Sequence, residues 1–468
     1  MFEPLYTAGE MRAAEERYPG YPDSMRALMD RAGTAVAEHA LDWSPEARSY
    51  TVVCGPGNNG GDGKVAAQLL SGAGRDVRVV NAKPEDEEKD LGEPDVVVDA
   101  LFGTGFTGEP RPAAAALIGQ INGLQGTAEI VAVDVPSGVD ASTGEVAGAA
   151  VEADLTVTFH GEKLGLLVTP GGFHAGAVEV VDIGLEPAAT QHVRATHELL
   201  ELVPLRGPRD NKYTAGHVLV VGGSPGLTGA PSLASEAAMR SDAGYVTVAA
   251  PRSTLPVFEL RLLEAVKRPL PDDDEGRLTL DAFGEIATLA ERAGALALGP
   301  GVGRSEGTRA LVRRLLRELE LPAVVDADAL FGLEPDDWPS PRVLTPHSGE
   351  LGRLLGESSA WVDAHRLEAA ARAVDRFRCV VLLKGASTLV AAPGEGVIVV
   401  EGQPALATAG TGDVLTGIIG AFLAKGMDAR LAAAAAATAH SVAAAQAPQQ
   451  AGLIASDLLE LLPDALAR

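Results

Sequence analysis

Short β-rich runs alternate with amphipathic stretches along almost the whole chain. Met25, Leu28, Met29, Ala32 and Val36 recur at helical spacing, with Asp23 or Ser24 placed to cap the helix. Residues 49–70, SYTVVCGPGNNGGDGKVAAQLL, read as a strand, a glycine loop and a helix. Val77, Val79 and Val80 give the next strand, which closes on Asn81, Ala82 and Lys83. The pattern repeats through DVVVDALFGTG (95–105), a helix over 113–121 and EIVAVDVPSGVD (129–140), and strands continue in LTVTFHGEKLGLL (155–167) and AVEVVDIGL (177–185). Residues 186–211 hold three prolines and no clear strand, so a boundary falls near 190–205. A second series then opens with GHVLVVGGSPGLTGAP and runs through ALALGPGVG, AVVDADAL, RVLTPHSGEL and CVVLLKGASTLVA to ALATAGTGDVLTGIIGAFLAKG at 405–426. Buried strands alternating with helices predict mainly parallel α/β sheets. We place two α/β domains at 1–195 and 196–468, where the length of 468 residues leads one to expect two or three.

Composition narrows the partners. A net charge of −26 speaks against general binding to nucleic acid or an anionic membrane. Aromatic residues make up 4% of the chain, so the core must rest on Ala, Val and Leu. Cys54 and Cys379 sit in or beside apolar runs and read as buried free thiols. The N-terminal segment lacks the basic flank and apolar core of a signal peptide. The Ala-rich run at 431–445 reads as a close-packed core helix, and the expected compartment is the reducing cytoplasm.

The glycine loops carry the candidate chemistry, because ligands of open α/β sheets bind at the carboxyl ends of strands. In the last motif, Gly410 and Gly412 allow a tight turn, and Asp413 stands where a helix begins. A helix N-terminus suits phosphate, so a carboxylate there is either a general base beside a phosphoryl group or a plain helix cap. In the first domain Gly55, Gly57 and Gly60 fit G-x-G-x-x-G, yet no acidic residue follows the next strand to hold a ribose. The loop instead adds Asn58, Asn59 and Asp62. Asp99 and Asp134 each end a strand, with Ser137 one turn beyond. Converging hard oxygen ligands suit an alkali or alkaline-earth cation, although each residue alone also fits a cap or turn.

The motifs CGPGNNGGDG, VVDALFGTGFTGE, AVDVPSGVD and TFHGEKLG, in order, resemble NAD(P)H-hydrate epimerase. KYTAGHVLVVGGSPGLTGAP, LGPGVG, DADAL, TPHSGE, LKGAST and AGTGD resemble NAD(P)H-hydrate dehydratase, a ribokinase-like enzyme. Together they cover almost the whole chain and resemble the bacterial bifunctional nicotinamide-nucleotide repair family. The resemblance implies a Rossmann-like three-layer sandwich followed by a ribokinase-like α/β domain. It implies that Asn58, Asn59, Gly60, Gly61 and Asp62, with Gly103, Thr104, Gly105, Phe106, Thr107, Gly108 and Glu109, hold the hydrated dinucleotide. Asn59, Asp99 and Ser137 would ligate potassium, and Asp134 would act near the reacting carbon. Lys163 lies in the TFHGEKLG segment without a firm role.

In the second domain the resemblance implies that Ala230, Gly303 and His347 line the hydrate pocket. Lys384, Gly385, Ala386, Ser387, Thr388 and Gly412 would bind the phosphate donor, Lys384 as a mobile point charge, and Asp413 would be the base. For His347 a helix-capping or core role is the alternative. The implied cofactors are magnesium and ADP, and the implied substrates are NADH and NADPH hydrates. A homo-oligomer is expected, with the helix over 25–36 as a possible dimer face. Ser348, Phe331, Gln403 and Ala405 stand where the family usually has Pro, Asn, Asn and Gly, which bears on pocket shape more than on the reaction. Two rival readings are a vitamin or sugar kinase in the second domain and a non-catalytic binding module in the first.

Overall fold

The computed structural model describes residues 1–82 and 89–467. Lys83, expected to close the second strand, lies outside the described residues. The chain divides into two compact units, one made of Pro4–His192 with Asp363–Arg366 and the other of Met1–Glu3, Val193–Val362 and Leu367–Arg468. No described helix is long and apolar enough to cross a membrane.

The chain begins with strand β1 (Phe2–Leu5). The first unit is then built on β2 (Ser49–Cys54), β3 (Asp76–Asn81), β4 (Val96–Ala100), β5 (Glu129–Val133), β6 (Leu155–Phe159) and β7 (Ala177–Val181). These form a six-stranded sheet in the order β3-β2-β4-β5-β6-β7, with every pairing parallel. Side chains alternate between its faces. Val52, Cys54, Val98, Ala100, Val131 and Val157 pack under the helices Met25–Trp43 and Asn58–Gly72. Val53, Val97 and Ile130 pack on the opposite face with Leu117, Ile118 and Ile121 of the helix Pro112–Asn122. The result is three layers, as the alternating pattern requires.

The helix at Met25 runs to Trp43, and its stripe of Leu28, Ala32, Val36 and Ala40 is spent on this unit's own core. Ser24 holds the cap position but makes no capping hydrogen bond, and its buried hydroxyl has no partner.

The second unit carries β8 (His192–Ala195), β9 (His217–Val221), β10 (Tyr245–Pro251), β11 (Val266–Leu270), β12 (Ala295–Leu298), β13 (Ala323–Val325), β14 (Arg342–Leu344), β15 (Val380–Leu383), β16 (Ser387–Ala391) and β17 (Ile398–Glu401). Its sheet runs β1-β8-β17-β16-β15-β14-β13-β12-β9-β10-β11. Strands β9 to β15 pair in parallel, whereas β16 is antiparallel to both neighbours. Strand β8 lies in the stretch expected to hold none. Its sequence HVRA has no apolar run, and it lies between β1 and β17, pairing through Val193 with Ile398.

One face of this sheet is covered by the helices Gly229–Arg240, Thr411–Ala424, Ala429–Ala445 and Ala455–Ala465, which join Val218, Val220, Ala297 and Val324 in one core. The Ala-rich helix is buried, as its close-packing composition predicts. On the other side the helix Glu306–Glu318 buries Leu311, Val312, Leu315 and Leu316.

Candidate active sites

In the first unit the functional side chains converge at the carboxyl ends of β2, β4, β5 and β6. The glycine loop after β2 must pass close to the turn after β4. A Cβ on Gly55 would lie 1.9 Å from the Leu101 carbonyl oxygen, and one on Gly60 would lie 1.9 Å from the Gly55 carbonyl oxygen. Only glycine fits at these two points. The helix Asn58–Gly72 starts here without a side-chain cap, so its first amides face outward as donors for an anion.

Asp99 at the end of β4 is fully buried. It accepts from the Ser137 amide at 2.8 Å, the Ser137 hydroxyl at 2.7 Å and the Leu101 amide at 3.1 Å. Burial pushes its carboxyl up to about 6, against the lowering effect of these bonds. Ser137 Oγ accepts from the Phe102 amide at 2.8 Å, and Asn59 Nδ2 donates to the Phe102 carbonyl at 2.8 Å. Asn59, Asp99 and Ser137, far apart in the chain, are thus one cluster of hard oxygens joined through the Phe102 backbone. A buried carboxylate among neutral donors lacks a countercharge, and the set fits a monovalent cation.

Asp134 follows β5 with φ 69°, a left-handed conformation costly for a non-glycine residue. Its Oδ1 lies 2.6 Å from Lys163 Nζ, and Thr158 Oγ1 donates to the same oxygen at 3.1 Å. Lys163 is 1% exposed and also donates to Thr158 Oγ1 at 2.8 Å and to the Phe159 carbonyl at 2.7 Å. The lysine without a firm role in the sequence is therefore the buried partner of Asp134. Asp62, on the helix Asn58–Gly72, is pushed up to about 8 by burial and by the charges of Asp134 and Glu15. Glu15 is raised by burial and by Asp134. Glu15 lies on the helix Ala8–Glu16, far from every motif, and no local signal marked it.

The loop Gly103–Glu109 follows the Asp99 turn. Phe102 and Phe106 stack there with ring centroids 4.8 Å apart, beside a cavity of about 330 Å³. Thr107, Gly108 and Glu109 are exposed.

In the second unit, five parallel strands deliver their following loops to a common end. After β9 comes the loop that leads to Ala230, half-buried in the first turn of Gly229–Arg240. After β12 comes Gly303 (φ 87°), whose amide donates to Asp328 Oδ2 at 3.1 Å. After β13 come Asp326 and Asp328. After β14 comes His347, and after β15 comes Lys384.

Lys384 Nζ binds Asp326 Oδ1 at 2.8 Å and lies 3.9 Å from Glu350 Oε2. Thr416 Oγ1 donates to Asp326 Oδ2 at 2.7 Å. Burial alone would raise Asp326, but Lys384 and Thr416 outweigh it and hold the carboxyl below its ordinary value. Burial would likewise lower Lys384, but Asp326 and Glu350 raise it. Lys384, expected as a mobile point charge, is half-buried and pairs with the buried Asp326.

The helix Thr411–Ala424 begins two residues before Asp413, with Gly410 (φ 92°) as its cap residue. The Asp413 amide is used on the Gly410 carbonyl at 3.1 Å, so Gly412 supplies a first-turn donor for a ligand. A Cβ on Gly412 would stand 3.3 Å from Lys384 Nζ, which places the ammonium against this turn. Burial pushes Asp413 up to about 7, reinforced by Asp326 and opposed by Lys384, with Asp328 and Glu350 adding to the rise. A carboxyl near neutrality beside a cation and free amides is suited to general-base work.

His347 caps the helix Ser348–Leu355, accepting from the Gly349 amide at 3.0 Å, while its own amide donates to Glu350 Oε2 at 2.9 Å. The capping alternative accounts for its geometry, and the residue is exposed. Gly385 and Ala386 form an exposed turn, Thr388 is half-buried and Ser387 is buried in β16, so this stretch offers a ligand mainly Lys384 and backbone. His440, on the Ala-rich helix, was missed. Burial and nearby Lys384 hold its ring down to about 4, while a bond to the Thr411 backbone acts in the other direction.

The fold and these two sites define a two-unit α/β enzyme, one unit with an oxygen-lined glycine-loop site and the other with a carboxyl of raised pKa in the first turn of a glycine-capped helix. Residues 218–467 match the family model described as NAD(P)H-hydrate dehydratase, and residues 25–92 and 82–165 match that of the YjeF-related protein N-terminus. The chain belongs to the family of bifunctional NAD(P)H-hydrate repair enzymes. It is 40% identical to the repair enzyme of Moorella thermoacetica, over 98% of this chain and 96% of that one. It is 36% identical to that of Escherichia coli K12, over 93% and 88%. Among solved structures, the Bacillus subtilis ADP/ATP-dependent NAD(P)H-hydrate dehydratase, co-crystallised with ATP and Mg2+, is 29% identical with a TM-score of 0.52, covering 58% of this chain and 96% of that one. A ribokinase-like protein of Enterococcus faecalis, 23% identical with a TM-score of 0.50, supports the fold. These findings do not favour the small-molecule kinase reading.

Proposed function

We propose that the chain repairs hydrated NADH and NADPH, with the first unit interconverting the R and S epimers at ring carbon 6 and the second dehydrating the S epimer. The observation that carries this reading is Asp413, a carboxyl raised to about 7 at a helix start beside Lys384. The ring hydroxyl is a poor leaving group. Asp413 takes its proton as the oxygen attacks the terminal phosphate of a nucleotide, for which we propose ADP. The Gly412 amide and Lys384 hold the charge that develops on the transferred group. The ring nitrogen then pushes phosphate out, and loss of a proton from the neighbouring carbon restores the double bond.

Magnesium would screen the donor phosphates. Asp326 and Asp328 are already engaged by Lys384 and Arg304, so the fit is to an ion held chiefly by phosphate oxygens, with Glu350 nearby. Ala230, Gly303 and His347 would border the hydrate. In the first unit Asp134, positioned by Lys163, would take the hydroxyl proton as the bond from carbon 6 to the ring nitrogen breaks, leaving an aldehyde and a protonated nitrogen, and would return a proton to the oxygen when the nitrogen, giving up its own, closes on the opposite face of the carbon. Potassium at Asn59, Asp99 and Ser137 would supply the missing countercharge and fix the loops that hold the substrate. A cytoplasmic homo-oligomer remains part of this proposal, and sedimentation of the purified chain tests the assembly.

Incubation of a mixed hydrate with ADP should restore all of the reduced-nicotinamide absorbance. Stalling at the S fraction overturns the epimerase half. A stable phosphorylated product in place of free phosphate overturns the dehydratase half.

A further inference from the structure

The cavity of about 330 Å³ in the first unit has a definite place in the sheet. Its lining includes Leu101, Phe102, Phe106 and Leu117, with Glu109 and Arg111 as its charged groups. Leu101 and Leu117 belong to the core layer beneath the helix Pro112–Asn122. The group formed by Glu15, Asp62 and Asp134 stands on the other side: the helix that carries Glu15 packs through Met11 and Ala14 into the layer beneath Met25–Trp43 and Asn58–Gly72. Between the two faces lies the uncapped start of Asn58–Gly72, which suits a pyrophosphate. Phe102 ties the ends together. Its backbone joins Asn59 and Ser137, while its ring stacks on Phe106 at the cavity wall with an interplanar angle of 15°.

On the repair reading above, we infer that this cavity is the purine subsite of the epimerase, so that the hydrated dinucleotide crosses the carboxyl edge of the sheet with its reacting ring at Asp134 and its adenine beside Phe102 and Phe106. The cavity is at the small end of ligand pockets, the size for a nucleobase and not for a whole dinucleotide. Aromatic rings give a base its stacking surface, and Arg111 and Glu109 offer a donor and an acceptor to its polar edge.

The test uses the full chain without ADP or ATP, so that the second site is idle, and follows R-to-S conversion by chromatography after subtracting the spontaneous rate. The substrates are hydrated NADH and hydrated reduced nicotinamide mononucleotide, which lacks the adenosine half. The wild type should prefer the dinucleotide by about 10-fold or more in kcat/KM, the scale of one stacked base. Ala114→Phe, which fills the cavity from the helix, should bring that preference close to one. Equal kcat/KM values in the wild type would overturn the subsite, and so would an undiminished preference in a folded Ala114→Phe protein. The wild-type comparison stands even if the variant does not fold. Conversion of neither hydrate would instead overturn the repair reading on which the inference rests.

Discussion

Lys384 and Asp326 form a buried ion pair of 2.8 Å at the floor of the second site, with Thr416 holding the other carboxylate oxygen at 2.7 Å. The pair does two things to its neighbour. Asp326 pushes Asp413 toward protonation, and Lys384 pulls it back. Removing the lysine leaves an uncompensated buried carboxylate. Lys384→Ala is expected to cost about 3 kcal/mol of unfolding free energy, and Lys384→Met combined with Asp326→Leu to recover most of it. Urea denaturation of the three proteins checks this, and a single variant as stable as the wild type would contradict it.

Asp413 must be ionised to take a proton. With its carboxyl near 7, dehydratase kcat/KM should rise with pH through about 7 and level off above it. Asp413→Asn should keep nucleotide and hydrate binding, lose at least ~100-fold in turnover and lose this inflection. Near-normal turnover at saturating ADP and hydrate would exclude Asp413 as the base.

Asp134 tests backbone and chemistry separately. Asn tolerates its left-handed φ of 69° better than most residues, so Asp134→Asn should fold. It should nevertheless lose about 100-fold or more in epimerase rate. Asp134→Val should also lose thermal stability, because a β-branched side chain is strained there. Melting curves with R-to-S assays separate the two effects.

Asp62 gives a stability signature. Its folded carboxyl, near 8, lies well above the unfolded value, so between about 4 and 8 the native state holds a proton that the unfolded chain releases. Its contribution is full at low pH and is lost as pH rises to 8. Asp62→Asn should therefore melt progressively higher than the wild type as pH goes from 5 to 8, by more than about 1 kcal/mol at the upper end. A gap that stays constant with pH would show that Asp62 is ionised in the fold.

The strand–loop–helix rhythm and the glycine loops were legible because both are local. Consecutive valines mark β2, β4 and β13 without knowledge of their neighbours, and glycine loops follow β2 and β4. The partners of the acidic residues were not legible. Lys163 reaches Asp134 from just beyond the neighbouring strand β6, and Lys384 reaches Asp326 across 58 residues of chain. Glu15 enters the first site from a helix whose sequence shows only ordinary amphipathic spacing. His347 and Lys384 show the limit of single residues: both reach the predicted end of the sheet, but one is held as a cap and the other in an ion pair. The strand β8 was missed because its four half-buried residues, HVRA, hold no hydrophobic pattern.

The helix Ala429–Ala445 carries a consequence for how this enzyme can change. Alanine surrenders no rotamer freedom when buried, so ordering the alanines of this helix costs backbone entropy alone. In return they offer only methyl groups, and these join the apolar side chains of Thr411–Ala424 in one core. Each added methylene would push outward the turn that carries Gly412 and Asp413. The least distinctive residues in the chain then work as a spacing gauge, and tolerance to substitution should be lowest where the sequence looks most monotonous.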